Sequence, residues 1–359
     1  MLADSAARLA ERAGGPGRIR RARDGGGQFD AGVWRQVAEA GWLSVLVPEA
    51  AGGAGLGLTE LALFLEQAGR RLMPEPVGAQ AAAARAVAAS EKRELCAPLL
   101  GGERIVLPAL QETPLGVDPE NVAVTASEAG DGLCLGGRKI LIPEAQEADG
   151  FLVNARGPSG AVLCYLPSET VSISAPGGGR VDGGAWGDLK LDDVRVPAAH
   201  ILANGEPAAE LIARLLDDLL IATSAELLGV MGRALDMTLE YLRHRQQFGK
   251  PIGGFQALQH HAVNRFVDVE LTRSLLHEIC KAVDQGRDSP ALAAALKAKA
   301  SETALAVTQS AIQLHGAVAY ADEHDAGLYL KRAMALAAYH GNAAGQHARY
   351  ARLTGIVSQ

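Results

Sequence analysis

Aromatic side chains make up only 4% of the 359 residues. The core therefore cannot be built on large rings and must use closely approaching, Ala-rich helices and aliphatic strands. Long apolar runs are missing too: none approaches the roughly eighteen residues that span a bilayer, and the N-terminus lacks the apolar stretch of a secretion signal. A soluble, cytoplasmic chain without a membrane partner is expected. Cysteine is scarce, and Cys96, Cys134, Cys164 and Cys280 lie far apart, which excludes a CxxC redox or zinc framework and predicts reduced thiols. An excess of positive charge is also absent. The net charge is -7, which argues against a nucleic-acid partner and requires any anionic ligand to find a local basic patch. Eight of the nine histidines lie beyond residue 240. They form no His-x-x-x-His with a partnering carboxylate, and the adjacent His260 and His261 point to different helix faces, so no metal site is expected.

The length suits two or three packed units. Up to about residue 100 the pattern is helical. Gly25-Gly26-Gly27 breaks the chain, Asp30 is a helix N-cap, and Leu61, Phe64, Leu65 and Ala68 stripe a further helix. The Gly52-Gly53-x-Gly55 run is no phosphate loop, because no Lys follows and no βαβ pattern surrounds it. From Arg104 the period changes. Seven short β-prone runs, at 122–125, 133–135, 139–142, 151–155, 161–166, 171–173 and 188–196, are separated by Gly, Asp and Pro. They predict a small barrel or sandwich. Four helices follow, at about 207–247, 255–286, 289–315 and 324–338, joined by short turns as in a four-helix bundle. The expected architecture is multidomain α+β: an N-terminal α-helical domain over 1–100, a middle β-barrel or sandwich domain over 101–204, and a C-terminal four-helix-bundle domain over 205–359.

The densest segment runs from Tyr241 to His260, where Arg243, His244, Arg245 and Lys250 converge at a helix end. Such a corner suits a pyrophosphate, which guanidinium groups bind in a bidentate way. It also suits the bland reading, that basic residues complement the helix dipole. The pattern Tyr-x-x-x-Arg-x-x-Phe-Gly-x-Pro-Ile-x-x-Phe-Gln-x-x-Gln-His resembles the C-terminal helical domain of the acyl-CoA dehydrogenase family, flavoenzymes that desaturate acyl-CoA thioesters at the α and β carbons. Gln313-Leu-His-Gly-Ala-Val-Ala-Tyr320 is similar to the family turn that approaches the adenosine pyrophosphate of a flavin held by a neighbouring subunit. The resemblance implies FAD as cofactor, with Arg245, Phe248, Gln256, Gln313, His315 and Gly316 as its binding residues. Ala317 stands where the family has a second glycine.

Other family features are eroded. The segment that holds the flavin in relatives reads Leu110-Gln-Glu-Thr-Pro-Leu-Gly-Val-Asp118, and a register set on Lys139 puts Leu141 and Pro143 at the family's tryptophan and threonine positions. Proline has neither N–H nor hydroxyl to offer a flavin ring. The family's chemistry needs a carboxylate to take the acyl α-proton while a hydride leaves the β-carbon. His340 occupies that glutamate position, and the alternative register for a base falls on Leu219. Motifs that act on a neighbour's flavin are kept while those for the chain's own are lost. The resemblance thus implies one subunit of a heteromeric acyl-CoA dehydrogenase, with an acyl-CoA substrate, a second dehydrogenase subunit and an electron acceptor as partners. A self-sufficient homotetramer using His340 or a displaced acid as base, and a scaffold binding a partner or acyl-CoA without flavin, are the alternatives.

Overall fold

The computed structural model describes residues 2–25, 29–175, 179–287 and 289–356. Gly26 and Gly27 of the glycine break lie outside them. Six helices open the chain: α1 (Leu2–Arg12), α2 (Pro16–Gly25), α3 (Ala31–Glu39), α4 (Leu58–Arg70), α5 (Val77–Ala89) and α6 (Cys96–Leu100). Asp30 caps α3 as its residue type dictates, its carboxylate accepting from the Gly32 and Val33 amides. α4 is capped from a distance. Asp284, at the end of a later helix, accepts from the amides of Leu58 and Thr59 at 2.7 and 3.0 Å and from the Thr59 hydroxyl at 2.6 Å. Any Cβ at Gly57 would collide with that carboxylate.

The middle of the chain forms one hydrogen-bonded sheet of eight strands: β1 (Val106–Ala109), β2 (Thr125–Ala129), β3 (Gly132–Pro143), β4 (Gly150–Gly157), β5 (Gly160–Pro167), β6 (Ser172–Ser174), β7 (Trp186–Val196) and β8 (Ile201–Asn204). The order is β6-β7-β3-β2-β4-β5-β8, with β1 paired in parallel to β4. Two halves meet at a single β2–β4 pair, Thr125 with Arg156. The runs at 133–135 and 139–142 are one strand, β3, and β1 and β8 are additional to the seven expected. β3 is irregular where it matters: its register against β7 shifts between Lys139 and Ile142, and Leu141 takes a left-handed φ of 57°. The Leu141 amide thereby reaches the Asp188 carboxylate at 2.9 Å.

Five helices complete the chain: α7 (Glu206–His244), α8 (Gln256–Asp284), α9 (Pro290–His315), α10 (Ala326–Ala338) and α11 (Ala343–Leu353). α7 is continuous over 39 residues. α10 begins near His324, whose Nδ1 accepts from the Ala326 amide, but it is not the last helix, since α11 follows. α4 crosses α7 at two glycines. A Cβ on Gly69 would strike the Glu226 carbonyl oxygen, and one on Gly229 would strike the Glu66 carbonyl oxygen. The backbones therefore touch, bringing the N-terminal helices hard against the bundle.

Candidate functional site

The basic corner forms where α7 stops. Arg245 is its C-cap; the Arg245 amide donates to the Tyr241 carbonyl at 2.9 Å, and its own carbonyl accepts from Ile252 at 2.8 Å. Gln246–Gln247 and Lys250–Pro251 pair as a two-stranded hairpin across Phe248 and Gly249, both at positive φ. Phe248 is 90% exposed and meets Phe255 edge-on, while the Lys250 ammonium lies 4.3 Å from the Phe255 ring centre. Arg243, His244, Arg245 and Gln256 are all exposed. The corner thus offers cationic and amide donors to solvent.

The turn after α9 lies beside it. His315 stacks on Tyr241 with ring centres 4.6 Å apart, tying the end of α9 to the end of α7. Its Nδ1–H donates to the Ala311 carbonyl at 2.7 Å, and its other side meets His324, also at 4.6 Å. Burial, with His324 close by, lowers its pKa. His315 is therefore an inward-facing brace, whereas Gln313 and Gly316 are exposed. Gly316 has φ 68°, and a Cβ there would meet nothing.

The position expected to carry chemistry looks different. A cavity of about 70 Å³ is walled in part by Gly78 of α5, Pro143 and Glu144 after β3, Thr223 and Glu226 of α7, Arg332 of α10, and the turn residues Tyr339 and His340. Ligand pockets typically hold about 300–1,000 Å³. Glu144, Glu226 and Arg332 bring charge to its walls, and further charged groups back them. The loop between β6 and β7 brings in Arg180 and Asp182, which pair through Nε and Oδ1 at 2.5 Å, and Arg332 joins the same carboxylate at 2.9 Å. Arg332 also binds Glu226 and the Met73 carbonyl. Arg180 lies 3.1 Å from Glu144 and 5.6 Å from the Tyr339 ring centre. Burial alone would raise Asp182; the two guanidinium groups overcome it and hold the carboxyl below its usual range. For Glu144, burial wins over Arg180 and Arg332, and its pKa is raised.

His340 sits in the wall of this cavity at φ 57°. Burial and, secondarily, the Lys297 ammonium push its imidazole down to about 3. An imidazole of that pKa is neutral at pH 7 and a feeble general base. Leu219 lines the cavity too, so the alternative base position is filled by an alkyl group. A cleft of about 850 Å³ lies away from these residues, between the end of α5, β8 and the starts of α7 and α9. Among the described residues no cluster of three or more His, Cys, Asp or Glu could hold a metal, and no helix is long and apolar enough to cross a membrane.

Two family profiles match this chain: the acyl-CoA dehydrogenase N-terminal domain over residues 1–92 and the C-terminal domain over residues 210–353. Benzylmalonyl-CoA dehydrogenase of Aromatoleum aromaticum is 30% identical over 319 residues, 84% of either chain. This chain belongs to the acyl-CoA dehydrogenase family. Its relatives are oxidoreductases acting on acyl-CoA, among them the acyl-CoA dehydrogenase FadE27 of Mycobacterium tuberculosis, 30% identical over 90% of this chain and 88% of that one. Among solved structures the Tcur3481-Tcur3483 steroid ACAD superposes with a TM-score of 0.90 at 30% identity, covering 99% of this chain and 97% of that one. The ChsE4-ChsE5 complex from Mycobacterium tuberculosis gives 0.89 at 28%, covering 100% and 97%.

FAD is the cofactor of these flavoproteins, and a PigA complex with FAD and proline is a neighbour at TM-score 0.89 and 25% identity. The residues around Pro143 do not fit a flavin ring. Pro143 lacks donors, and the cavity it lines holds only about 70 Å³. The corner at Arg245 has the opposite character, with Arg243, Arg245 and Gln256 exposed to solvent.

Proposed function

We propose that this acyl-CoA dehydrogenase family member is the cofactor-lending subunit of a mixed enzyme that desaturates an acyl-CoA thioester. In this reading Arg245, Gln313 and Gly316 face the pyrophosphate of an FAD whose ring and catalytic glutamate belong to the partner subunit. Phe248 and Gln256 frame the same edge, and His315 braces it from behind. The observation that carries the reading is the contrast between a small internal cavity of about 70 Å³, walled in part by Pro143, Glu144 and Arg332, and an exposed basic corner. Two further features support it. The two neighbouring structures with TM-scores of 0.90 and 0.89 are named as pairs of proteins, Tcur3481-Tcur3483 and ChsE4-ChsE5, the former a steroid ACAD. On α8, Val263, Phe266, Val267 and Leu271 are all exposed at helical spacing, an apolar stripe of the kind a partner covers.

The test is the visible flavin spectrum and native mass of the chain alone and after co-expression with a second acyl-CoA dehydrogenase subunit. The lone chain is expected to be colourless, and the mixed assembly yellow with one FAD per pair of unlike chains. Arg245→Ala should strip flavin from that assembly, and His340→Ala should leave its desaturation intact. Stoichiometric FAD and desaturation by the lone chain would overturn the reading in favour of a homotetramer. A flavin-free mixed assembly would overturn it in favour of a scaffold.

A further inference from the structure

Lys297 of α9 is fully buried, and among the described residues its ammonium faces no carboxylate. It donates to the Ser301 hydroxyl at 3.0 Å, the Ala337 carbonyl at 3.1 Å and the Gly341 carbonyl at 3.3 Å. Two of these acceptors belong to the end of α10 and the turn after it. That turn is tightly wound, with His340 at φ 57° and Gly341 at φ 110°, and Gln346 of α11 donates to the His340 carbonyl at 2.8 Å. On its far side lies the loop of the β domain at 113–116. A Cβ on Gly345 would collide with the Leu115 carbonyl oxygen, and one on Gly116 would come within 2.8 Å of the Gly341 Cα. The turn is thus clamped between a buried ammonium and a foreign loop.

The surrounding charges are engaged elsewhere. On the α11 side Asp217 pairs with Arg349, and Glu302 pairs with His347. On the α7 and α10 side Glu226 pairs with Arg332, and in the β domain Glu112 pairs with Lys139. Glu144, in the wall of the same cavity as His340, lies 3.1 Å from Arg180. Among the described residues neither Lys297 nor His340 makes an ion pair, so the turn carries two bases without an acid bound to either.

We propose that the 339–342 turn, held by Lys297 of α9 on one side and by the 113–116 loop on the other, is a latch that acid opens, because freeing it from α9 hydrates Lys297 and His340 and lets both take up protons. Burial holds Lys297 down to about 7, and burial with Lys297 holds His340 down to about 3, whereas the hydrated groups titrate at their ordinary values. The open state therefore binds more protons from about pH 10 down to 7 through Lys297, and from about 6.5 downward through His340. Between pH 9 and 7 the opening constant rises about fifty-fold.

The test is amide hydrogen exchange on the full chain, following peptides that cover residues 339–346, with rates corrected for intrinsic exchange. The wild-type chain should show that rise between pH 9 and 7, and α8 peptides that exchange faster than the 339–346 peptides, and so open without the turn, should not. Lys297→Met should abolish it, and an unchanged rise in this variant would overturn the proposal. His340→Gln tests the other base independently: it should keep the rise between pH 9 and 7 and lose the further rise below pH 6.5. Retention of the latter would equally overturn the proposal.

Discussion

Replacing Arg332 by Met removes the guanidinium that joins Asp182 to Glu226 while keeping much of its apolar stem. The side chains of Arg332, Asp182 and Glu226 are 8%, 5% and 16% exposed, so solvent cannot take over its role. Breaking a buried ion pair costs about 3–5 kcal/mol, since the remaining charge is left uncompensated. Arg180 keeps its own contact with Asp182, which places the expected loss at the low end, about 3 kcal/mol. In urea at pH 7, with a slope of about 3 kcal/mol/M, the midpoint should fall by about 1 M. Arg70→Met is the control: its pair with Asp236 is 28% and 49% exposed and should matter by less than about 1 kcal/mol. The pH dependence sharpens the test. Asp182 is depressed in the folded chain, so the stability it contributes is present above its unfolded value and is lost as pH falls through its folded value. In Arg332→Met that depression shrinks, so the gap between variant and wild type should narrow as pH falls below about 4. A midpoint shift no larger than that of Arg70→Met, or a gap that stays constant in acid, would refute the assignment of the cluster as a buried lock.

Asp284→Ala should cost about 1–2 kcal/mol in thermal or urea unfolding, because it uncaps α4 from two amides and a hydroxyl at once. Gly229→Ala should cost more than the about 1 kcal/mol that helix propensity alone would return in its favour, since the new methyl meets the Glu66 carbonyl; a stabilised variant would refute the close crossing. Lys297→Met should raise stability most below pH 7. In the wild type the unfolded chain binds one more proton between about pH 7 and 10.5, so stability climbs with pH by about 1.4 kcal/mol per unit, and the variant should lose that slope in denaturation measured across the range.

α4, α8 and α9 follow from apolar spacing, and Asp30 marks the start of α3. α5 was hidden because its Ala-rich sequence is buried nearly all round and shows no polar face. α11 was hidden for the opposite reason, being rich in Arg and His. β1 carries Pro108 and lies parallel to β4, a pairing that no local pattern signals. Both halves of the proposed cofactor corner were readable as motifs, and Tyr241 against His315 is what joins them. The inward turn of His315 was not readable, since its spacing fits either face of the helix end. The Arg180–Asp182–Arg332 cluster left no trace either, because its members come from a loop and a helix 150 residues apart. Lys297 did leave one: a lysine with Ala293, Ala294, Ala300 and Ser301 at the helical positions around it sits on a face too apolar for a solvated charge.

The glycine crossing of α4 and α7 fixes a reference point. With backbone against carbonyl oxygen at Gly69 and Gly229, neither helix can slide by a residue without driving a Cβ into the other chain segment. Glu226 is itself part of that contact, so the carboxylate that binds Arg332 is carried on backbone the crossing holds still. Arg245 follows nineteen residues later on the same helix, about 28 Å along its axis, and the stack of Tyr241 on His315 ties that end to α9. One helix therefore sets the spacing between the charge cluster and the basic corner.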